Sequence, residues 1–299
     1  MKKITVTGAT GFIGQYLLQA LAQEYELVAL TTKSDTSSFF QHDALSYRQT
    51  DYSRQTLDAA LSGCDALVHL AAKRPQANSE LSVSNYFENM LLSETVFQAC
   101  RDLGISNVVN ISSISVYSRT ERKTHEESEA AQPYNLYGVA KLASEAIAQI
   151  MNQENGMYIK SLRVASVFGL GERKEYMSAV FLRRCLENVQ IVVYGDGTEY
   201  REYVYVKDVC RAISCALKAE RQAGIFNIGS NKAISNREMA QLYCEIFEST
   251  AGFALDSSKP SANISTAFSI EKAKNLLGYI PAFSMKEALV DMKRNIQHI

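Results

Sequence analysis

Tyr137 and Lys141 stand four residues apart in the stretch YNLYGVAKLASEAIAQI. On a helix that spacing puts both side chains on one face, about a turn from each other. A phenol of ordinary pKa, about 10, is a poor base at neutral pH. An ammonium about 4 Å away, at an effective dielectric of ~20, favours the phenolate by about 4 kcal/mol. That brings a phenol into the working range of a general acid–base group. A hydroxyl from the upstream run ISSISVYS, residues 111–118, is available to bond the same reacting oxygen. Taken alone, Tyr-x-x-x-Lys is a common accident, and a surface tyrosine beside a solvated lysine is spelled the same way. Its weight depends on what surrounds it.

Gly8, Gly11 and Gly14 recur every three residues between an apolar run and an amphipathic one. KITVTG is β-branched, as expected of a short strand buried on both faces of a parallel sheet. From Gly11 onward Phe12, Ile13, Tyr16, Leu17, Leu18, Leu21 and Ala22 follow helical spacing, and ELVALTT (Glu26–Thr32) reads as a second strand. In that frame the first glycines let the backbone turn sharply against a pyrophosphate. Gly14 lets the helix pack closely on the strand. The helix start, with Phe12 and Ile13, offers N–H groups to an anion. A merely tight βα turn is the bland alternative. A Walker loop is excluded, because no Gly-Lys-Ser/Thr follows.

The remaining elements supply the scaffold for these groups. A helix ends at LDAALSG (Leu57–Gly63), and ALVHLAA (Ala66–Ala72) and NVVNISS (Asn107–Ser113) read as strands. Between the last two lies a helix over Asn85–Gly104 with Gly104 as its stop. Repeated βα units predict an α/β fold, a Rossmann-type doubly wound parallel sheet. Beyond about residue 164 the regularity loosens. SAVFLRRCLEN reads as a helix, and IVVYGDGTEYREYVYV as two strands around a Gly-Asp-Gly turn. A helix over SNREMAQLYCEIF is capped by Ser235 or Asn236. The expected division is therefore residues 1–164 for dinucleotide binding and 165–299 mainly for substrate, with segments of the second returning to the first.

Composition narrows the class. The chain has 299 residues, 46% hydrophobic and 21% charged, with a formal net charge of −1, so neither a nucleic-acid nor a membrane partner is expected. Six cysteines form no CxxC pair, and His42, His69, His125 and His298 lack metal-ligand spacing; no metal site is expected. The apolar start after Lys2 and Lys3 is broken by Thr5, Thr7, Gly8, Thr10 and Gly11, so no leader is read there. No run approaches the roughly eighteen apolar residues of a spanning helix. Reduced thiols in a cytoplasmic protein are expected.

TGATGFIG with GxxGxxG spacing, joined to Tyr137-x-x-x-Lys141 and a serine-rich strand end, resembles the extended short-chain dehydrogenase/reductase family. Its members mostly act on nucleotide sugars, and the resemblance spans nearly the whole chain. It implies that Tyr137 exchanges a proton with a sugar hydroxyl while hydride passes to or from a nicotinamide. Lys141 tunes that tyrosine and holds the nicotinamide ribose. Anchoring SSISVYS on Val116-Tyr117 gives the catalytic hydroxyl to Ser113 rather than Ser112 or Ser115, with Ser118 replacing the family's glycine. Asp51 of TDYS matches the aspartate that contacts adenine. Leu70, Ala71 and Ala72 run along the cofactor, and Asn89 matches the asparagine of the following helix. In GDGTEYREYVYVKDV, Arg201 matches the arginine that clamps the sugar diphosphate, as a bidentate fork suits; a surface ion pair with a neighbouring glutamate is the alternative. Asp208 reads as a helix cap or structural contact.

Three departures shape the expected reaction. The second strand ends in Thr31, Thr32 and Lys33 rather than an acid. That tilts the cofactor from NAD towards NADP, with Lys33 against a 2′-phosphate, unless Lys33 is solvated or Asp35 supplies the acid. Ile114-Ser115 stand where the family's 4,6-dehydratases carry Asp-Glu, which argues against water elimination. Ser166 replaces an asparagine that touches substrate in many epimerases. The leading expectation is hydride transfer at C4 of a nucleoside-diphosphate sugar by a 4-keto-sugar reductase. A 4-epimerase that retains NAD is the alternative, and a non-catalytic dinucleotide sensor the distant one. A homodimer through the helices at Asn85–Gly104 and Tyr137–Asn152 is implied by the resemblance.

Overall fold

β1 (Lys3–Thr7) runs into α1 (Phe12–Leu21) with Gly11 as the helix N-cap. The computed structural model describes residues 1–73, 84–118, 123–259 and 266–296. The first half continues as β2 (Glu26–Thr31), β3 (Leu45–Gln49), α2 (Arg54–Leu61), β4 (Ala66–His69), α3 (Ser84–Asp102) and β5 (Asn107–Ser113). β4 stops at His69, short of the expected Ala72, because the N–H groups of Leu70 and Ala71 turn onto the Thr7 hydroxyl. β6 (Lys123–His125), α4 (Leu136–Asn155), β7 (Tyr158–Val164) and β8 (Ser166–Phe168) follow. Then come α5 (Met177–Leu186), β9 (Ile191–Tyr194), β10 (Tyr200–Tyr205), α6 (Val206–Lys218) and β11 (Gly224–Ile228). The chain closes with β12 (Ala233–Ser235), α7 (Asn236–Ile246), β13 (Phe253–Asp256), β14 (Thr266–Phe268), α8 (Glu271–Leu277) and α9 (Met285–Asn295).

The large sheet has the order β11-β7-β5-β4-β1-β2-β3, and every pairing in it is parallel. Alternate strand residues feed two cores. Leu27, Ala29, Val68 and Val109 face a layer with Leu17, Val209 and Ile213, while Val28, Leu30, Leu67 and Val108 face Leu57, Val96 and Phe97. Burial on both faces explains why these strands read as unbroken apolar runs. Strand order reverses between β1 and β4, the place where an open α/β sheet parts to leave a crevice at its carboxyl edge.

The two halves exchange strands. β11, late in the chain, forms one edge of the large sheet, and β6, from the first half, ends a smaller mixed sheet ordered β12-β10-β14-β6 with β8 on β10. Tyr117, His125 and Phe268 stack where the halves meet, with centroids 4.7 to 5.8 Å apart. β9 and β10 flank the Gly-Asp-Gly turn as expected but do not pair with each other; β9 pairs in parallel with β13. Ser235, not Asn236, caps α7, in a reciprocal box with Glu238. Asp208 in the first turn of α6 is a structural contact, accepting the N–H groups of Ala282 and Phe283 at 2.7 and 3.1 Å.

Candidate active site

The glycines make a cradle at the carboxyl edge of β1. Gly8 takes φ +65, and a Cβ there would stand 2.7 Å from Ala71 N; one on Gly14 would stand 2.5 Å from Ala9 O. The first demand comes from the β4 exit lying across the bend, the second from α1 lying against it. α1 has no side-chain cap and no acid in its first turn, so its N-terminal N–H groups, Phe12 and Ile13 included, suit an anion. The cradle fits a dinucleotide pyrophosphate.

Thr7 organises this edge, although the glycine pattern that follows it gave it no role. Its hydroxyl receives Leu70 N–H and Ala71 N–H at 3.2 and 3.1 Å and meets His69 Nδ1 at 2.9 Å. Burial, reinforced by the Lys141 charge, pushes His69 down to about 3, so the imidazole stays neutral and serves as structure. Asn89, 6% exposed, receives Lys73 N–H on Oδ1 at 2.7 Å and donates to Lys73 O at 2.8 Å. It thus fixes the segment that carries Leu70, Ala71 and Ala72. Tyr52 is a further residue the motif did not reveal: at φ 60 its hydroxyl accepts Gly8 N–H at 3.1 Å.

Tyr137 lies in the first turn of α4, which Asn135 caps by accepting Gly138 N–H at 2.7 Å. Lys141 is 7% exposed; its Nζ donates to Ile111 O at 2.6 Å and lies 5.8 Å from the Tyr137 ring centroid. The ammonium is therefore buried between β5 and the tyrosine-bearing turn. The two serines at the end of β5 separate by strand alternation. Ser112 donates to Glu145 at 2.5 Å, and Glu145 in turn forms a buried pair with Arg163. Ser113 instead caps the short turn Ile114–Val116 by accepting Ser115 N–H. That turn rests on α4: a Cβ on Gly138 would meet Ser115 O at 2.1 Å. The serine turn and the Tyr137–Gly138 step are thus in direct contact.

The outer residues fall as follows. Lys33 Nζ lies over the Phe39 ring at 4.6 Å, while Thr31 and Thr10 hydroxyls meet at 3.1 Å at the end of β2. Asp35 is exposed and bonds Ser37 N–H. Asp51 takes Ser53 N–H and the Thr56 hydroxyl, and the Ser53 hydroxyl first, then those two bonds, pull its carboxyl down to about 2. Ser166 starts β8, half-buried and in register with Tyr203 of β10. Arg201, on β10, forms the ion pair with Glu199 at 3.0 Å. Among the described residues no group of His, Cys, Asp or Glu assembles as a metal site; His298 lies outside them. Among the described residues, too, no helix is long and apolar enough to cross a membrane.

A model of the NAD dependent epimerase/dehydratase family matches residues 4–229. The structure of UDP-N-acetylglucosamine 4-epimerase from Bacillus cereus superposes with a TM-score of 0.89 at 31% identity, covering 100% of this chain and 98% of that one. UDP-glucuronic acid 4-epimerase from Bacillus cereus, in complex with UDP-glucuronic acid and NAD, gives a TM-score of 0.84 at 26% identity over 99% of each chain. By sequence, the uncharacterized UDP-glucose epimerase YtcB of Bacillus subtilis is 27% identical over 307 residues, 97% of this chain and 96% of that protein.

Proposed function

The chain belongs to the NAD dependent epimerase/dehydratase family, and from that premise we propose that it is a 4-epimerase of UDP-sugars with NAD as its resident cofactor. It is an NAD-dependent nucleotide-sugar-modifying enzyme of the short-chain dehydrogenase/reductase type. One observation carries the finer reading: a buried Lys141 ammonium beside Tyr137, in the turn of α4 that packs on the Ser113 turn. The C4 chemistry is supported by whole-chain likeness to UDP-sugar 4-epimerases, which favours epimerase over the reductase expected from sequence. The tilt towards NADP finds no such support, since that neighbour holds NAD.

When bound, the nicotinamide supplies the acceptor and donor of hydride for C4. Tyr137 takes the O4 proton as C4 is oxidised to the ketone and returns it once the opposite face is reduced. Lys141 favours the phenolate and reaches the ribose. Ser113 donates to the sugar oxygen, and Arg201 holds the diphosphate with the edge of its guanidinium that Glu199 leaves to it. Gly8, Gly11, Phe12, Ile13 and Gly14 hold the pyrophosphate; Leu70–Ala72, Asn89, Asp51 and Lys33 bound the rest of the cofactor, and Ser166 the sugar. Residues 1–164 with the returning β11 form the cofactor part, and the remainder the substrate part. Exposed Phe87, Leu91, Val139 and Ile150 on α3 and α4 support a homodimer through those helices.

The test is a panel of UDP-glucose, UDP-N-acetylglucosamine and UDP-glucuronic acid, followed by NMR of the sugar ring. Conversion to the C4 epimer without net cofactor use supports the epimerase. Stoichiometric NADH or NADPH oxidation by a 4-keto nucleotide sugar, with no epimer formed, points to the reductase instead. Tyr137→Phe is expected to cut turnover by about 10²–10⁴ while cofactor still binds.

A further inference from the structure

Ser113 Oγ donates to Ser115 Oγ at 3.1 Å, and Ser115 N–H donates back to Ser113 Oγ at 3.1 Å. Ser115 Oγ lies 3.0 Å from the Tyr134 phenol oxygen. Ser113 is half-buried, Ser115 7% exposed and Tyr134 36%, so three hydroxyls run in a row from the end of β5 through a buried centre to the surface. The backbone holds that row together. Gln132 N–H donates to Val116 O at 2.9 Å, and Gly138 packs against Ser115 O, so the segment bearing Tyr134 is tied to the serine turn at both ends.

We propose that Ser115 and Tyr134 are positioning residues for the Ser113 hydroxyl, acting as one switchable hydrogen-bond chain. This rests on the substrate-side role given above to Ser113. A serine hydroxyl has one proton and two acceptor sites. Before a sugar arrives, Ser115 Oγ engages the Ser113 proton. When a sugar oxygen takes that proton, the Ser115 hydroxyl turns to donate to Ser113 Oγ, and the Tyr134 phenol turns to donate to Ser115 Oγ. Only protons rotate. No buried oxygen is left unpaired at any stage, which avoids the penalty of an unmade bond. Each upstream donor also polarises the next, so Ser113 is a stronger donor with the row intact than alone.

The experiment measures kcat, KM and NAD affinity for Ser115→Ala, Tyr134→Phe and the double variant, on the UDP-sugar turned over in the panel above. Each single change is expected to lower kcat by about tenfold with KM and NAD affinity held, and the double variant to be no worse than Ser115→Ala, because one chain is broken either way. Ser115→Thr, which keeps a hydroxyl, is expected to restore the rate. Full activity of Tyr134→Phe, or losses that multiply in the double variant, overturns the proposal. Tyr134→Phe keeps the ring and removes a single hydroxyl at the surface end of the row, so it decides the matter even if Ser115→Ala folds poorly. Ser113→Ala is run beside them: unimpaired turnover there removes the role of Ser113 itself, whereas impaired turnover with an unaffected Tyr134→Phe removes only the chain.

Discussion

Gly138 is where a single atom has the largest expected effect. Alanine favours a helix over glycine by about 1 kcal/mol, so propensity alone predicts that Gly138→Ala stabilises α4. The added Cβ would stand 2.1 Å from Ser115 O, a backbone atom that cannot rotate away. The serine turn must therefore move relative to Tyr137. A displacement of about 1 Å between reacting groups costs roughly 10²-fold in rate. Gly138→Ala is expected to lose about that much kcat/KM while NAD binding, measured by calorimetry, persists; an unimpaired rate would show that the turn and the phenol need not be in register. Glu172 carries a different, pH-linked effect. Burial pushes its carboxyl up to about 7, against the pull of the Ser178 hydroxyl that donates to it and of the Gly169 backbone. Tyr203 and Tyr243 are the other titratable groups near it. A folded value above the unfolded one means that this stabilisation is whole below about pH 4.5 and is lost as pH rises through about 7. Glu172→Gln is expected to flatten the fall of Tm between pH 5 and 8, checked by thermal melts across that range.

At the scale of elements, the βα units were legible because period and punctuation agreed. KITVT and ELVALT are short runs buried on both faces, and the helix read over Tyr137–Asn152 runs Leu136–Asn155, a turn longer because the Asn135 and Gly156 caps went unread. The three-residue strands β6, β8, β12 and β14 carry no usable period, and β9 finds its partner in β13, some sixty residues away, so the smaller sheets were opaque. Within the site, residues that carry a motif were readable and those that support them were not. Nothing local announces that Thr7 will gather the β4 exit or that Tyr52 will reach Gly8. The β2–β3 connection shows the same limit. Lys33 was read against a 2′-phosphate, yet its ammonium rests on Phe39, in the connection between β2 and β3 where no helix or strand signal reveals the contact. Such a contact is worth about 0.5–1 kcal/mol at an exposed site. Phe39→Ala is therefore expected to improve NADP affinity relative to NAD by about twofold to fivefold, read by nucleotide fluorescence. No change in the ratio would place the Lys33 charge outside the ribose pocket.

For the whole molecule, the question is what covers the outer face of α3 and α4. Phe87 and Leu91 are one helical turn apart on α3, and Val139 and Ile150 are three turns apart on α4; all four are between 45% and 51% exposed. The two helices pack on each other, and each carries two of these exposed apolar side chains. A surface shared by adjacent helices is suited to a two-fold interface, in which each residue is used once by each copy. The catalytic tyrosine proposed above rides on the same α4, two residues before Val139, so the interface would brace the helix that sets its position. Leu91→Glu puts a charge into that surface twice per dimer, a cost of several kcal/mol if the face is closed against itself. The variant is expected to sediment as a folded monomer under conditions where the parent is a dimer, with unchanged far-ultraviolet dichroism. A parent that is already monomeric, or a variant that remains dimeric, would mean that α3 and α4 are not the contact.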